Sequence, residues 1–100
     1  MKRLTDQALE RLATELRTAH LNADKAKARF FARNDELSTK MKAQPSVYAD
    51  TITRLAYMAQ DVERRDALGD YNFWREEECR VALVIQAEHA LRQMLILDLA

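Results

Sequence analysis

The chain has few of the residues that turn a backbone. One glycine, Gly69, and one proline, Pro45, in 100 residues leave too few turn formers for a many-stranded β fold. A single glycine also cannot build a phosphate-cradling loop. The lone cysteine, Cys79, excludes an intrachain disulfide framework and fits a reducing cytoplasm. The longest apolar run, Val81 to Ile85, is five residues, too short for a transmembrane span. The start, Met1 to Leu12, shows no continuous apolar segment or small-residue cleavage site, so no secretory signal is expected. Net charge is absent too. Sixteen basic side chains balance sixteen acidic ones, so no global field draws nucleic acid or anionic lipid.

What is present points to helices. Hydrophobic residues at 48% and charged residues at 32% describe a soluble all-α chain, read as one domain over residues 1–100. Gln44-Pro45-Ser46 and Leu68-Gly69-Asp70 divide it into helices of about 5–43, 46–68 and 70–99. Thr5 or Asp6 caps the first, Ser46 the second, and Asp70 or Asn72 the third. Proline ends the first helix by removing a donor, and glycine ends the second by accepting a left-handed conformation.

The first helix carries a heptad. Leu9, Leu16, Ala23, Phe30 and Leu37 fall seven apart, and Leu12, Ala19, Ala26, Arg33 and Lys40 follow each by three. That is a narrow, coiled-coil type seam, and its register carries the helix through Asn34-Asp35-Glu36. The third helix has two apolar strips. Phe73, Leu83, Val84, Ala87, Ala90, Leu91 and Met94 form one; Trp74, Val81, Ile85, Ile96 and Leu99 form the other. Two strips need two neighbours. A first helix of about 55–60 Å also cannot be covered by a second of about 33 Å. The expected fold is therefore three long antiparallel helices in an up-down-up bundle. It should be homodimeric through Leu16, Ala23 and Phe30 and the second strip at Val81, Ile85 and Ile96. Four acid-before-base pairs at spacing four, Asp50/Arg54, Asp61/Arg65, Glu76/Arg80 and Glu88/Arg92, reinforce the exposed faces.

Charge divides along the chain. Residues 1–42 hold ten bases against six acids, and residues 43–100 hold six against ten. In an up-down-up bundle the basic stretch Lys25–Lys42 approaches the first turn. Seven acids from Asp61 to Glu78 gather at the second, making the molecule dipolar. The acidic tip also bears Tyr71, Trp74 and Arg75, residue types common in binding hot spots. Tyr71, Trp74, Arg75, Glu76, Glu77 and Glu78 are thus the expected partner-binding residues, addressing a basic groove on another protein.

Chemistry finds less purchase. His20 and His89 lie on different helices, and Glu88-His89 lacks the spacing of a helical di-iron motif, so no metal ligands are expected. Three acids before Cys79 disfavour a reactive thiolate. No catalytic residue, cofactor or small-molecule substrate is expected. The reading that results is a non-catalytic helical protein–protein interaction module in the cytoplasm, a small inhibitor or regulator of a larger nucleic-acid-handling complex. Size and lack of motifs, rather than any residue, suggest a phage or mobile-element setting that would include CRISPR inhibitors and the host cytoplasm. The alternative is a nucleic-acid-binding regulator that uses Lys25, Lys27, Arg29 and Arg33 in the Lys25–Lys42 stretch. A metal-dependent helical enzyme comes third.

Overall fold

The structure, a computed structural model, describes residues 3–99. Three helices follow in order: α1 (Asp6–Lys42), α2 (Thr51–Ala59) and α3 (Val62–Leu99). No strand occurs among the described residues.

Helix α1 starts where its sequence signal lies. The Thr5 hydroxyl accepts a hydrogen bond from the Ala8 N–H at 3.1 Å, satisfying one of the orphan donors of the first turn. The helix runs unbroken through Asn34 and ends at Lys42, just ahead of Pro45. The next two boundaries differ from expectation. Ser46 caps nothing, because residues 43–50 form irregular turns and α2 begins at Thr51. Its cap is Asp50, whose Oδ2 accepts from the Thr53 N–H at 3.1 Å. Helix α2 is only nine residues long, and none of them is buried.

The break before α3 falls at Gln60-Asp61, not at Gly69. Asp61 Oδ2 accepts the Arg64 N–H at 2.9 Å, a carboxylate cap that opens a 38-residue helix. Gly69 sits inside that helix with no positive φ. Glycine ends a helix only when the chain uses its left-handed region. Here it costs α3 about 1 kcal/mol relative to alanine, which packing along α1 offsets.

This shift of boundary changes the architecture. Helices α1 and α3 are nearly equal, 37 and 38 residues, so each spans about 55 Å. They pack as an antiparallel hairpin: Asp6 meets Arg92, His20 meets Glu78, Arg29 meets Asp70, and Arg33 meets Asp61. The result is a rod of 73 × 21 × 18 Å, two long helices with α2 at the turn, rather than three long antiparallel ones. The length argument for a second chain therefore lapses. Helix α3 covers the α1 seam itself.

The seam on α1 buries Ala19, Ala23, Ala26, Leu37 and Met41. On α3 the inward positions are Arg64, Ala67, Tyr71, Trp74, Glu78, Val81, Ile85, Glu88 and Arg92, each buried or half-buried and spaced alternately three and four. That spacing matches the 3.5-residue repeat of a coiled-coil interface. Ala19 of α1 and Trp74 and Val81 of α3 line one shallow recess along this contact. The other apolar strip of α3 stays outside, with Phe73 at 54%, Leu83 at 65% and Met94 at 61% exposure.

Candidate functional site

The seam residues expected to join two chains lie within one. Ala23 and Val81 are 2% and 1% exposed, and Leu16, Phe30 and Ile85 are half-buried along the same α1–α3 contact. Ile96 alone of that set is open. The physical reason is the continuity of α3 through Gly69, which supplies the second strip with a partner from its own chain.

The stretch Tyr71–Glu78 is brought together on α3, but along the shaft of the rod and not at a turn. Tyr71 and Trp74 lie half-buried against α1, while Arg75 and Glu76 are exposed. Arg75 Nη1 donates to Glu78 Oε1 at 3.0 Å, and Arg80 Nη2 donates to Glu77 Oε2 at 3.0 Å. Of the four pairs expected at spacing four, Glu88–Arg92 forms, at 3.1 Å. Arg54 instead donates to the Tyr48 and Ala49 carbonyls, and Arg65 to that of Ala59.

The basic and acidic stretches also lie side by side rather than at opposite ends. Arg29 Nη2 sits 2.7 Å from Asp70 Oδ2. Arg33 forks onto Asp61 at 2.9 and 2.7 Å and reaches Glu36 at 2.8 Å. The Arg33 hydrogen bond holds the Asp61 carboxyl down at about 2, helped by the Arg64 N–H. Asp61 and Glu36 raise Arg33 in turn. Two of the four residues named for nucleic-acid binding are thus engaged within the fold. Lys25 and Lys27 are exposed and make no ion pair among the described residues.

A second ionic cluster escaped the sequence reading. Glu88, only 4% exposed, accepts from Arg3 Nε at 3.2 Å and Arg92 Nε at 3.1 Å. Burial pushes its carboxyl up, but the bonds from Arg3 and Arg92 outweigh this and hold it below the ordinary range. Arg92 also donates to Asp6 at 2.8 Å and to the Leu4 carbonyl at 3.1 Å. The Glu88/Arg92 spacing was a visible signal. Nothing in the sequence placed Arg3, eighty-five positions away, against them.

An open groove of about 550 Å³ between α1 and α3 is lined by Leu16, Leu21, Ala82, Arg17, Arg75 and Glu78. Cys79 and His20 line it too. The two His20 ring nitrogens stand 3.4 Å from Asp24 and 3.4 Å from Glu78, so carboxylates engage the imidazole. Among the described residues no three His, Cys, Asp or Glu side chains converge as metal ligands, and no helix is long and apolar enough to cross a membrane.

What distinguishes the surface is apolar exposure. Among the described residues, fourteen large hydrophobic side chains are exposed, against seven hydrophobic residues that are buried, four of them alanines. Several project past the end of the hairpin. Arg92 already reaches Leu4 and Asp6 at the start of α1, and beyond it Met94, Leu95, Ile96 and Leu97 are 42–73% exposed. No protein-family model, characterised protein or solved structure matches this chain.

Proposed function

We propose that this chain is a non-catalytic helical interaction module that works as a homodimer and regulates or inhibits a larger protein assembly by occupying its surface. The observation that carries the reading is the area left outside. The chain exposes 7587 Å², whereas a compact monomer of 11.6 kDa would expose about 5,800 Å². The excess is on the order of 1,700 Å², and fourteen large hydrophobic side chains stand exposed among the described residues. Consecutive exposed apolar side chains such as Met94, Leu95, Ile96 and Leu97 support an interaction surface there. Two chains burying a comparable area each would fall in the roughly 2,000–5,000 Å² range of obligate dimers.

Light scattering over a micromolar concentration series tests the assembly. The expected mass is about twice the chain mass of 11.6 kDa. A constant monomer mass across the series would overturn the reading.

A further inference from the structure

The outer face of α3 holds a second seam in heptad spacing. Val84, Ala87, Leu91 and Met94 recur at three, four and three, and the same steps lead back to Arg80 and on to Asp98. This set lies on a different side of the helix from the inward set that ends Val81, Ile85, Glu88 and Arg92. Val84 is 38% and Met94 61% exposed, Ala87 and Asp98 are exposed, and Leu91 is half-covered. The Arg80 side chain is 56% exposed and bridges Glu77 through Nη2 at 3.0 Å, leaving its other guanidinium donors for a second acceptor. Helix α1 cannot cover the far end of this row, because Met94 and Asp98 lie beyond Arg92, where α1 has already begun.

We infer that a second copy of this chain docks on that row, the two α3 helices running antiparallel about a two-fold axis level with Ala87 and Leu91. The inference rests on the homodimer proposed above and names its interface. Charge at the two ends of the row decides the orientation. Antiparallel pairing sets Val84 against Met94 of the other copy, Ala87 against Leu91, and Arg80 against Asp98, each contact occurring twice. Parallel pairing would set Arg80 against Arg80 and Asp98 against Asp98, which repel. Small Ala87 opposite larger Leu91 interdigitates across the axis as coiled-coil packing requires. From Arg80 to Asp98 the row is about 27 Å long. The overhanging end of each α3 then lies over residues 80–84 of the other, which accounts for apolar residues continuing past the end of the hairpin.

Cysteine cross-linking in a Cys79→Ser background tests the pairing. Val84→Cys and Met94→Cys chains, mixed and oxidised, should form a disulfide-linked pair, while neither chain links to itself. Self-linking of the Val84→Cys chain would overturn the antiparallel arrangement. A dimer by light scattering that yields no Val84–Met94 link would overturn this interface and leave the homodimer standing. A monomeric parent chain would overturn both. As a second arm, Ala87→Glu should keep full helicity, since Ala87 is exposed in the single chain, yet weaken dimerisation at least tenfold. An unchanged dimer in the folded variant would equally overturn the interface. Arg80→Asp and Asp98→Arg should each weaken the dimer, and together restore it.

Discussion

Arg33 and Asp61 meet as two forks, Nε to Oδ2 at 2.9 Å and Nη2 to Oδ1 at 2.7 Å. The same carboxylate caps the first turn of α3 through the Arg64 N–H. One side chain therefore both begins α3 and ties that beginning to α1. Bidentate geometry of this kind fixes orientation as well as distance.

Acid should loosen this tie. The Asp61 carboxyl is held at about 2 in the folded chain against about 3.9 when unfolded. A folded value below the unfolded one gives stability that is present above about pH 4 and lost as pH falls through about 2. Asp50 and Glu88 are shifted in the same direction, so they share the acid limb. Denaturant unfolding at several pH values should show the parent losing stability over that window. Asp61→Asn should be less stable near neutrality and fall less steeply below pH 4. An identical acid limb in the variant would show that the pair does not contribute.

Gly69→Ala should stabilise the chain by about 0.5–1 kcal/mol. The position is helical without positive φ, and an added Cβ would meet nothing within 4 Å. Urea unfolding midpoints would report the change. A loss of stability instead would return Gly69 to the helix-ending role that its place between Leu68 and Asp70 suggests.

Trp74→Ala should lower stability by about 2 kcal/mol, less than a fully buried aromatic would cost, because Trp74 is half-buried on the seam. Neutralising Glu76, Glu77 and Glu78 together should change stability less, since Glu76 is exposed and the other two pair with exposed arginines. Thermal melts of both variants check this. A larger loss from the triple variant would mean that these acids hold the hairpin more than the indole does.

Cys79→Ser should leave helicity, mass in solution and partner binding unchanged. Cys79 is exposed, and the one histidine lining the same groove faces Asp24 and Glu78. Circular dichroism and light scattering on the variant check fold and mass, and a pull-down with tagged parent and variant chains checks binding. A folded variant with lost binding would give the thiol a role.

The sequence was clearest where local physics decides alone. The heptad from Leu9, a cap at Thr5 or Asp6, the stop before Pro45 and the helix through Asn34 all follow from periodicity, capping and proline geometry. It misled at Gly69, because glycine permits a helix end without requiring one. It had no means of placing Arg3 against Glu88, since ion pairs between distant positions exist only once the chain has folded.

By itself, then, the sequence determined an all-helical chain with a long seam on its first helix and two apolar strips near its end. Only the tertiary structure decided which strip turns inward. The strip of Phe73, Leu83, Val84 and Met94 is the more apolar, yet it stays outside. The row that packs on α1 carries Arg64, Glu78, Glu88 and Arg92 among its apolar residues, and by hydropathy alone it is the weaker candidate. Charged groups in a seam are costly unless paired. Glu88 is paired by Arg3 and Arg92, Arg92 by Asp6, and Arg64 by Asn34 and the face of Phe30, while Glu78 is paired by Arg75 through Oε1 alone, its Oε2 buried without a hydrogen-bond partner. The partners from the other end of the chain, Arg3, Asp6, Asn34 and Phe30, come together with this row only when α1 and α3 lie antiparallel at full length, so the choice of strip belongs to the fold.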